Sequence, residues 1–176
     1  SPVLFPFPKD ETFAAARGNM VIIDDVIYAV CYNRWAVTWL EKSEDFGRSW
    51  EVVSWLDERL WTNQIECGRI NEASLGYYDG KMYVVGRQQS ENGDNRLEIG
   101  VSEDLGVTWT WSFLPIEGQA PSLTPYKDAF ILTYRNVKDS NRGKYSFDTV
   151  LLKDGKLASN PASLFESDNF DVGYGD

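Results

Sequence analysis

The octapeptide Ser43-Glu44-Asp45-Phe46-Gly47-Arg48-Ser49-Trp50 returns 59 residues later as Ser102-Glu103-Asp104-Leu105-Gly106-Val107-Thr108-Trp109. A repeat of this kind means that the chain is assembled from copies of one supersecondary unit. Each copy reads as a tight turn between two strands. The Asp is placed to accept hydrogen bonds from turn amides, the Gly tolerates a left-handed backbone, and the Trp re-enters the next strand carrying a large apolar surface.

Strand and turn signals around the repeat divide the chain into superimposable units. In the first, residues 20–23, 26–31, 36–43 and 50–55 alternate as strands, with Asp24-Asp25 as a hairpin turn. In the second, the strands are 73–78, 82–87, 97–102 and 108–112, with Asp79-Gly80 as the turn. The third carries strands at 122–125, 129–135 and 146–152, and Asp154-Gly155 stands where a third octapeptide would fall. Residues 58–66 read as a loop between units. Short antiparallel strands in groups of four, about every 50 residues, predict an all-β fold, a β-propeller. The blades are expected at about 17–57, 70–115 and 119–166, and a fourth is expected to begin at about 170–176. Three blades form an open arc with exposed strand edges. The ring is therefore expected to be completed by a further segment or another chain. Residues 1–10, with Phe5 and Phe7, are expected to supply an outer strand.

Composition narrows the chemistry. The 176 residues include no histidine, which removes His-based triads and His-ligated metals. Cys31 and Cys67 lack metal-ligand spacing and read as two buried thiols, with a disulfide between them as the alternative. No metal and no cofactor is expected. Residues 91–95 are acidic but lack calcium-loop spacing, and read as a solvated hairpin loop. The net charge of −10 argues against nucleic acid and anionic membranes as partners, and no apolar run is long enough to span a bilayer. Aromatic residues make up 14% of the chain, which suits stacking on sugars as well as packing between blades.

The units overlay in register. Residues 78–87 align with 126–135 without gaps at an offset of 48, and each stretch ends on arginine, Arg87 and Arg135. Ahead of them, Arg17-Gly18-Asn19, Glu72-Ala73-Ser74 and Ala120-Pro121-Ser122 share one position, and Tyr174-Gly175-Asp176 takes that position in the next unit. In a propeller the first strand of every blade lines the axis, and the end of the antiparallel second strand reaches the same face. Arg17, Glu72, Arg87, Arg135 and Tyr174 are thereby predicted to face one axial site, with both octapeptides at the opposite end. The plainer alternative for the arginines is ion pairing with neighbouring carboxylates.

The octapeptide resembles the Asp-box (BNR) repeat of sialidase-like β-propellers, the neuraminidase superfamily. Asn71-Glu72-Ala73-Ser74-Leu75, followed by residues 78–87, is similar to the family's N-E-P-S segment and the arginine that follows it. Ala120-Pro121-Ser122-Leu123 with Arg135 is similar to the segment bearing the third arginine, and Val172-Gly173-Tyr174 to that bearing a nucleophilic tyrosine. The resemblance implies a six-bladed ring, of which this chain covers the first half or so. It also implies an exo-acting glycoside hydrolase for an acidic sugar. Arg17, Arg87 and Arg135 would clamp the sugar carboxylate, Tyr174 would be the nucleophile, and Glu72 its base. Planar guanidiniums grip carboxylates bidentately. A phenol whose ordinary pKa is about 10 needs such a base.

Three positions depart from the family pattern. The loop around residues 32–36 is short and holds no carboxylate where the family has a general acid. Gly18-Asn19 and Gly175 replace the residues that usually follow the first arginine and the tyrosine. The alternative reading is a non-catalytic carbohydrate-recognition propeller of the cell-surface or phage-tail type. Either reading takes a glycan partner and an extracellular or cell-surface location.

Overall fold

The structure, a computed structural model, describes residues 14–16, 19–33, 38–56, 69–89, 95–136 and 145–167. All of the regular structure among them is β. The first sheet is antiparallel. β1 (Ala14–Ala16) and β2 (Val21–Ile23) lie along one edge of β3 (Val26–Asn33), which pairs with β4 (Thr38–Ser43) and through it with β5 (Glu51–Trp55). The second sheet runs in the order β6 (Arg69–Tyr78), β7 (Lys81–Gln89), β8 (Arg96–Ser102), β9 (Thr110–Tyr126), β10 (Ala129–Asn136), β11 (Tyr145–Lys153). Along the far edge of β11, β12 (Lys156–Leu157) and β13 (Ala162–Ser167) follow one another.

The eight-stranded sheet is two four-stranded blades joined through β9. Residues 110–117 of β9 pair with β8 as an outer strand, and residues 118–126 pair with β10 as an inner strand. The expectation of separate strands at 108–112 and 122–125 is corrected here. Pro115, Gly118 and Pro121 all lie inside β9. Pro115 and Pro121 fall at the two register shifts of β9, between Phe113 and Glu117 and between Gln119 and Ser122, where the ladder is interrupted and a proline lacking its N–H is tolerated. The resulting groups of antiparallel strands are the blades of a β-propeller.

The blades pack face to face. Along β7, Met82 and Val84 join Leu40, Ile70 and Leu75 in a core against the first blade. Tyr83 and Val85 join Leu97, Phe130 and Leu132 in a core against the third. All four β7 side chains are at most 3% exposed, so the strict alternation of this strand buries both of its faces. Gly76 and Gly100 make room for the interlocking, since a Cβ at either would strike the rings of Phe130 and Trp111 respectively.

Turn chemistry follows the sequence closely. Asp24-Asp25, Asp79-Gly80 and Asp154-Gly155 all have positive φ at both residues, the requirement of a two-residue hairpin turn that matches strand twist. The two octapeptides make the same bonds. Ser43 Oγ donates to Asp45 Oδ1 (2.9 Å) and accepts from the Gly47 amide (2.8 Å), while the Ser49 amide and hydroxyl donate to the two Asp45 oxygens (2.8 and 2.7 Å). The second copy repeats these at 2.7, 2.8, 2.9 and 2.6 Å through Ser102, Gly106, Thr108 and Asp104. In each, the Trp indole N–H closes the turn onto the Gly carbonyl, at 3.2 Å for Trp50 and 2.9 Å for Trp109. The bonds to Ser49 and Thr108 hold the Asp45 and Asp104 carboxyls down at about 2.

Candidate functional site at the inner-strand ends

The inner strands of three blades meet. The Leu123 amide donates to Ser74 Oγ of the second blade (3.0 Å), and the Leu123 carbonyl accepts from Asn19 Nδ2 ahead of the first (2.7 Å). Asn19, Ser74 and Ser122 are the residues that the sequence overlay places at one position, and here two of them hold the backbone beside the third. The Thr38 hydroxyl ties the first blade to the second through the Ile70 carbonyl.

Glu72 was expected just ahead of a strand and instead lies inside β6, on a bulge that shifts the register between Asn71 and Ser74. Its φ is +48°, and Ala120, its counterpart in the next blade, has φ +53° on an equivalent bulge of β9. Neither residue is a glycine, so this left-handed backbone costs about 1 kcal/mol or more at each position and is held by its surroundings. The two bulges touch: the Ala120 amide donates to Glu72 Oε2 at 3.0 Å. A bulge re-aims a side chain within a ladder, and this one sends the Glu72 carboxylate across to the neighbouring blade.

Arg87 faces that carboxylate, with Nη1 3.6 Å from Glu72 Oε2 and the two side chains only 19% and 12% exposed. Its Nε is buried without a hydrogen-bond partner among the described residues. Arg87 Nη2 donates to Asn95 Oδ1 (3.4 Å), and the same oxygen accepts from Gln119 Nε2 (3.4 Å). Gln119 Oε1 in turn accepts from Arg135 Nη2 (2.6 Å), and Arg135 is 7% exposed. Glu72, Arg87, Asn95, Gln119 and Arg135 thus form one continuous polar chain from the second blade to the third. The Asn95 carbonyl also accepts from the Gly118 amide (2.8 Å), which fixes the start of β8 against β9.

Of the five residues expected to share a site, Glu72, Arg87 and Arg135 are brought together. Arg17 and Tyr174 lie outside the described residues, as do Cys67, the 34–37 segment and the 91–94 loop. Both octapeptides close β-hairpins at the opposite ends of these strands. Asn95 and Gln119 were missed by sequence reasoning. A signal was present: the offset of 48 that aligns Glu72 with Ala120 also aligns Asn71 with Gln119, two amides at matching places beside the arginines. Near Arg135, Asn136 Nδ2 donates to Asp148 Oδ2 (2.7 Å), and Asp148 Oδ1 is buried without a hydrogen-bond partner among the described residues. Burial, reinforced by Asp148, raises the Tyr134 hydroxyl to about 12.

A second polar group lies in the first blade. Cys31 Sγ donates to Glu41 Oε1 (3.2 Å) and the Trp39 indole to Oε2 (3.1 Å), with Glu41 fully buried. Burial pushes both the Glu41 carboxyl and the Cys31 thiol up, so the pair is held towards its neutral form.

No family model and no curated protein matches the sequence. Solved structures do match in fold. An α-L-arabinanase from Penicillium chrysogenum complexed with arabinobiose superimposes with a TM-score of 0.72 at 16% identity, over 93% of this chain and 53% of that one. An α-L-arabinofuranosidase from Fusarium graminearum, in complex with an iminosugar inhibitor, gives 0.66 at 21% identity over 88% and 49%. The xyloglucan PUL GH43B protein of Bacteroides ovatus gives 0.65 at 15% over 85% and 30%. This chain therefore spans between about a third and about half of the length of these three structures. At these identities the likeness carries the propeller fold.

Proposed function

We propose that this chain forms part of a carbohydrate-active glycoside hydrolase whose reaction centre lies at the inner-strand ends. The observation that carries the reading is the joining of Glu72, Arg87 and Arg135, from two blades, into one partly buried polar chain. Similar folds in an arabinanase and an arabinofuranosidase support the reaction class.

The finer reading follows the sialidase-like resemblance. The substrate is an acidic sugar whose carboxylate is gripped by Arg17, Arg87 and Arg135. Glu72 takes the proton of the Tyr174 hydroxyl as the phenolic oxygen bonds to the anomeric carbon and the glycosidic bond breaks, its electron pair leaving with the departing oxygen, which takes a proton from water. Water then hydrolyses the glycosyl-tyrosine, with net retention. The rest of the ring comes from further sequence or another chain, and the protein works outside the cell.

One observation favours a second substrate class. Arg87 already faces Glu72, and Arg135 is bonded to Gln119 and almost fully buried, so both guanidiniums have partners within the protein. That arrangement suits a neutral sugar, or recognition without turnover. The assembled protein, assayed on aryl sialosides, uronides, arabinofuranosides and xylosides, separates the readings. An enzyme turns over at least one of them, and Glu72→Gln lowers its kcat by about 10²–10⁴-fold, the usual worth of a general acid or base. Turnover confined to neutral sugars overturns the acidic-sugar reading. Glycan binding without turnover makes the protein a recognition module.

A further inference from the structure

We infer that Gln119 is a positioning residue that sets the orientation of both arginines at once; the catalytic part of this inference rests on the functional reading above.

Its side chain is 8% exposed and has each end of its amide committed. The carbonyl accepts from Arg135 at 2.6 Å, and the NH₂ group donates to Asn95 Oδ1 at 3.4 Å. Asn95 Oδ1 also accepts from Arg87 Nη2. The acceptor demanded by Arg135 fixes which way the Gln119 amide points. That leaves its NH₂ group facing Asn95, so Asn95 must present its oxygen, which is the acceptor Arg87 requires. One amide orientation therefore dictates the next, and the two guanidiniums are locked in a common sense. Both ends of the chain bond a charged guanidinium, the stronger kind of hydrogen bond, and the shorter of the two, 2.6 Å at Arg135 against 3.4 Å at Arg87, anchors it.

Residue type matters at this position. A glutamate accepts from Arg135 equally well but has no N–H for Asn95, so Gln119→Glu keeps one arm of the bridge and cuts the other. An alanine removes both arms. The sequence numbering adds support: Gln119 precedes the Ala120 bulge whose amide is bonded to Glu72, so one short stretch of β9 positions the carboxylate and both arginines.

The test compares the assembled wild-type protein with Gln119→Ala, Gln119→Glu and Asn95→Ala. The first readout is ¹⁵N NMR of the arginine side chains, assigned through Arg87→Lys and Arg135→Lys. In the wild type the Nη signals of both arginines are expected to be resolved by restricted rotation. Gln119→Ala averages both sets, Gln119→Glu averages Arg87 alone, and Asn95→Ala averages Arg87 alone. The second readout is kinetic, on whichever aryl glycoside is turned over. Loss of a positioning contact raises KM by about tenfold in Gln119→Ala, with kcat changed less than about threefold, as expected for a lost hydrogen bond to a charged group. Arg87 signals that stay resolved in Gln119→Ala overturn the inference, whatever the activity. If no glycoside is turned over by the wild type, the functional reading fails, and the NMR comparison still decides the bridge. A fall in kcat with unchanged KM overturns the positioning role and leaves Gln119 with a part in the chemistry itself.

Discussion

The two octapeptide turns are nearly the same in sequence and make the same hydrogen bonds, yet they sit in different surroundings. At the first, a Cβ at Gly47 would meet the Trp50 ring of the same turn, at 3.7 Å, and no other atom within 4 Å among the described residues, and Phe46 is 79% exposed. The second is docked on the preceding blade. Gly106 is buried beneath Leu40, its carbonyl accepts from the Ser54 hydroxyl (2.6 Å), and Ser54 Oγ also accepts from the Trp109 indole (3.1 Å). One motif thus serves two purposes. Its internal bonds make the turn, and its outward face, where a neighbour exists, joins blades.

Substituting the matching glycines breaks this symmetry most strongly. Both have positive φ, +80° at Gly47 and +86° at Gly106, so alanine costs each turn about 1–2 kcal/mol of backbone strain. At Gly106 the new methyl would also lie 2.1 Å from Leu40 Cδ2, so the fully buried Leu40 side chain would have to shift. Overpacking adds about 1–3 kcal/mol there. Chemical denaturation should find Gly106→Ala the more destabilising of the two by at least about 1 kcal/mol. Equal losses would mean that the blades do not dock through this turn.

A milder change tests the docking bonds themselves. Ser54→Ala removes the hydroxyl that bridges the Gly106 carbonyl and the Trp109 indole, while leaving every internal bond of both turns in place. The cost is about 1 kcal/mol, since the indole keeps its bond to the Gly106 carbonyl. The substitution should be nearly additive with Gly47→Ala and non-additive with Gly106→Ala, because only the latter shares its contact. Additivity with both would remove Ser54 from the interface.

What the sequence made legible was local. The repeated turns, the Asp-Gly hairpins and the strand at 82–87 each depend on a few neighbouring residues, and all appear in the structure. The shared register of Glu72 with Ala120 and of Arg87 with Arg135 was also legible, because a period survives in the letters. The rest depended on contacts between blades. Nothing in Pro115-Ile116-Glu117-Gly118 announces that β9 runs on unbroken, since its edge position is a property of the sheet. Nothing in Asn71-Glu72-Ala73 announces a bulge with φ +48° at a glutamate, which is held in part by an amide 48 residues away. Asn95 looked like the end of a solvated loop, and only the approach of β9 turns its side chain into a link between arginines.

The smallest expected effect at neutral pH concerns what the two turns share. Asp45 and Asp104 are both held at about 2, below the ordinary carboxylate value of 3.8, by the hydroxyl and amide four residues on. A folded-state pKa below the unfolded one means that the turn stabilises the fold above about pH 4 and loses that stabilisation as the pH falls towards 2. Because the lowering is alike in the two copies, Asp45→Asn and Asp104→Asn should each flatten the acid limb of the thermal midpoint against pH by a similar amount, despite their different surroundings. The buried Glu41 carboxyl, shifted upward, acts in the opposite sense: its contribution is present below the ordinary carboxylate range and is lost as the pH rises through its raised folded value. Glu41→Gln should therefore alter the limb above the ordinary carboxylate range and leave the acid limb of the two turns intact. If the two Asp→Asn variants differ in the acid limb as much as the glycine variants do at neutral pH, then docking reaches into the turn's own hydrogen bonds. The separation between an internal role and an outward one would then have to be abandoned.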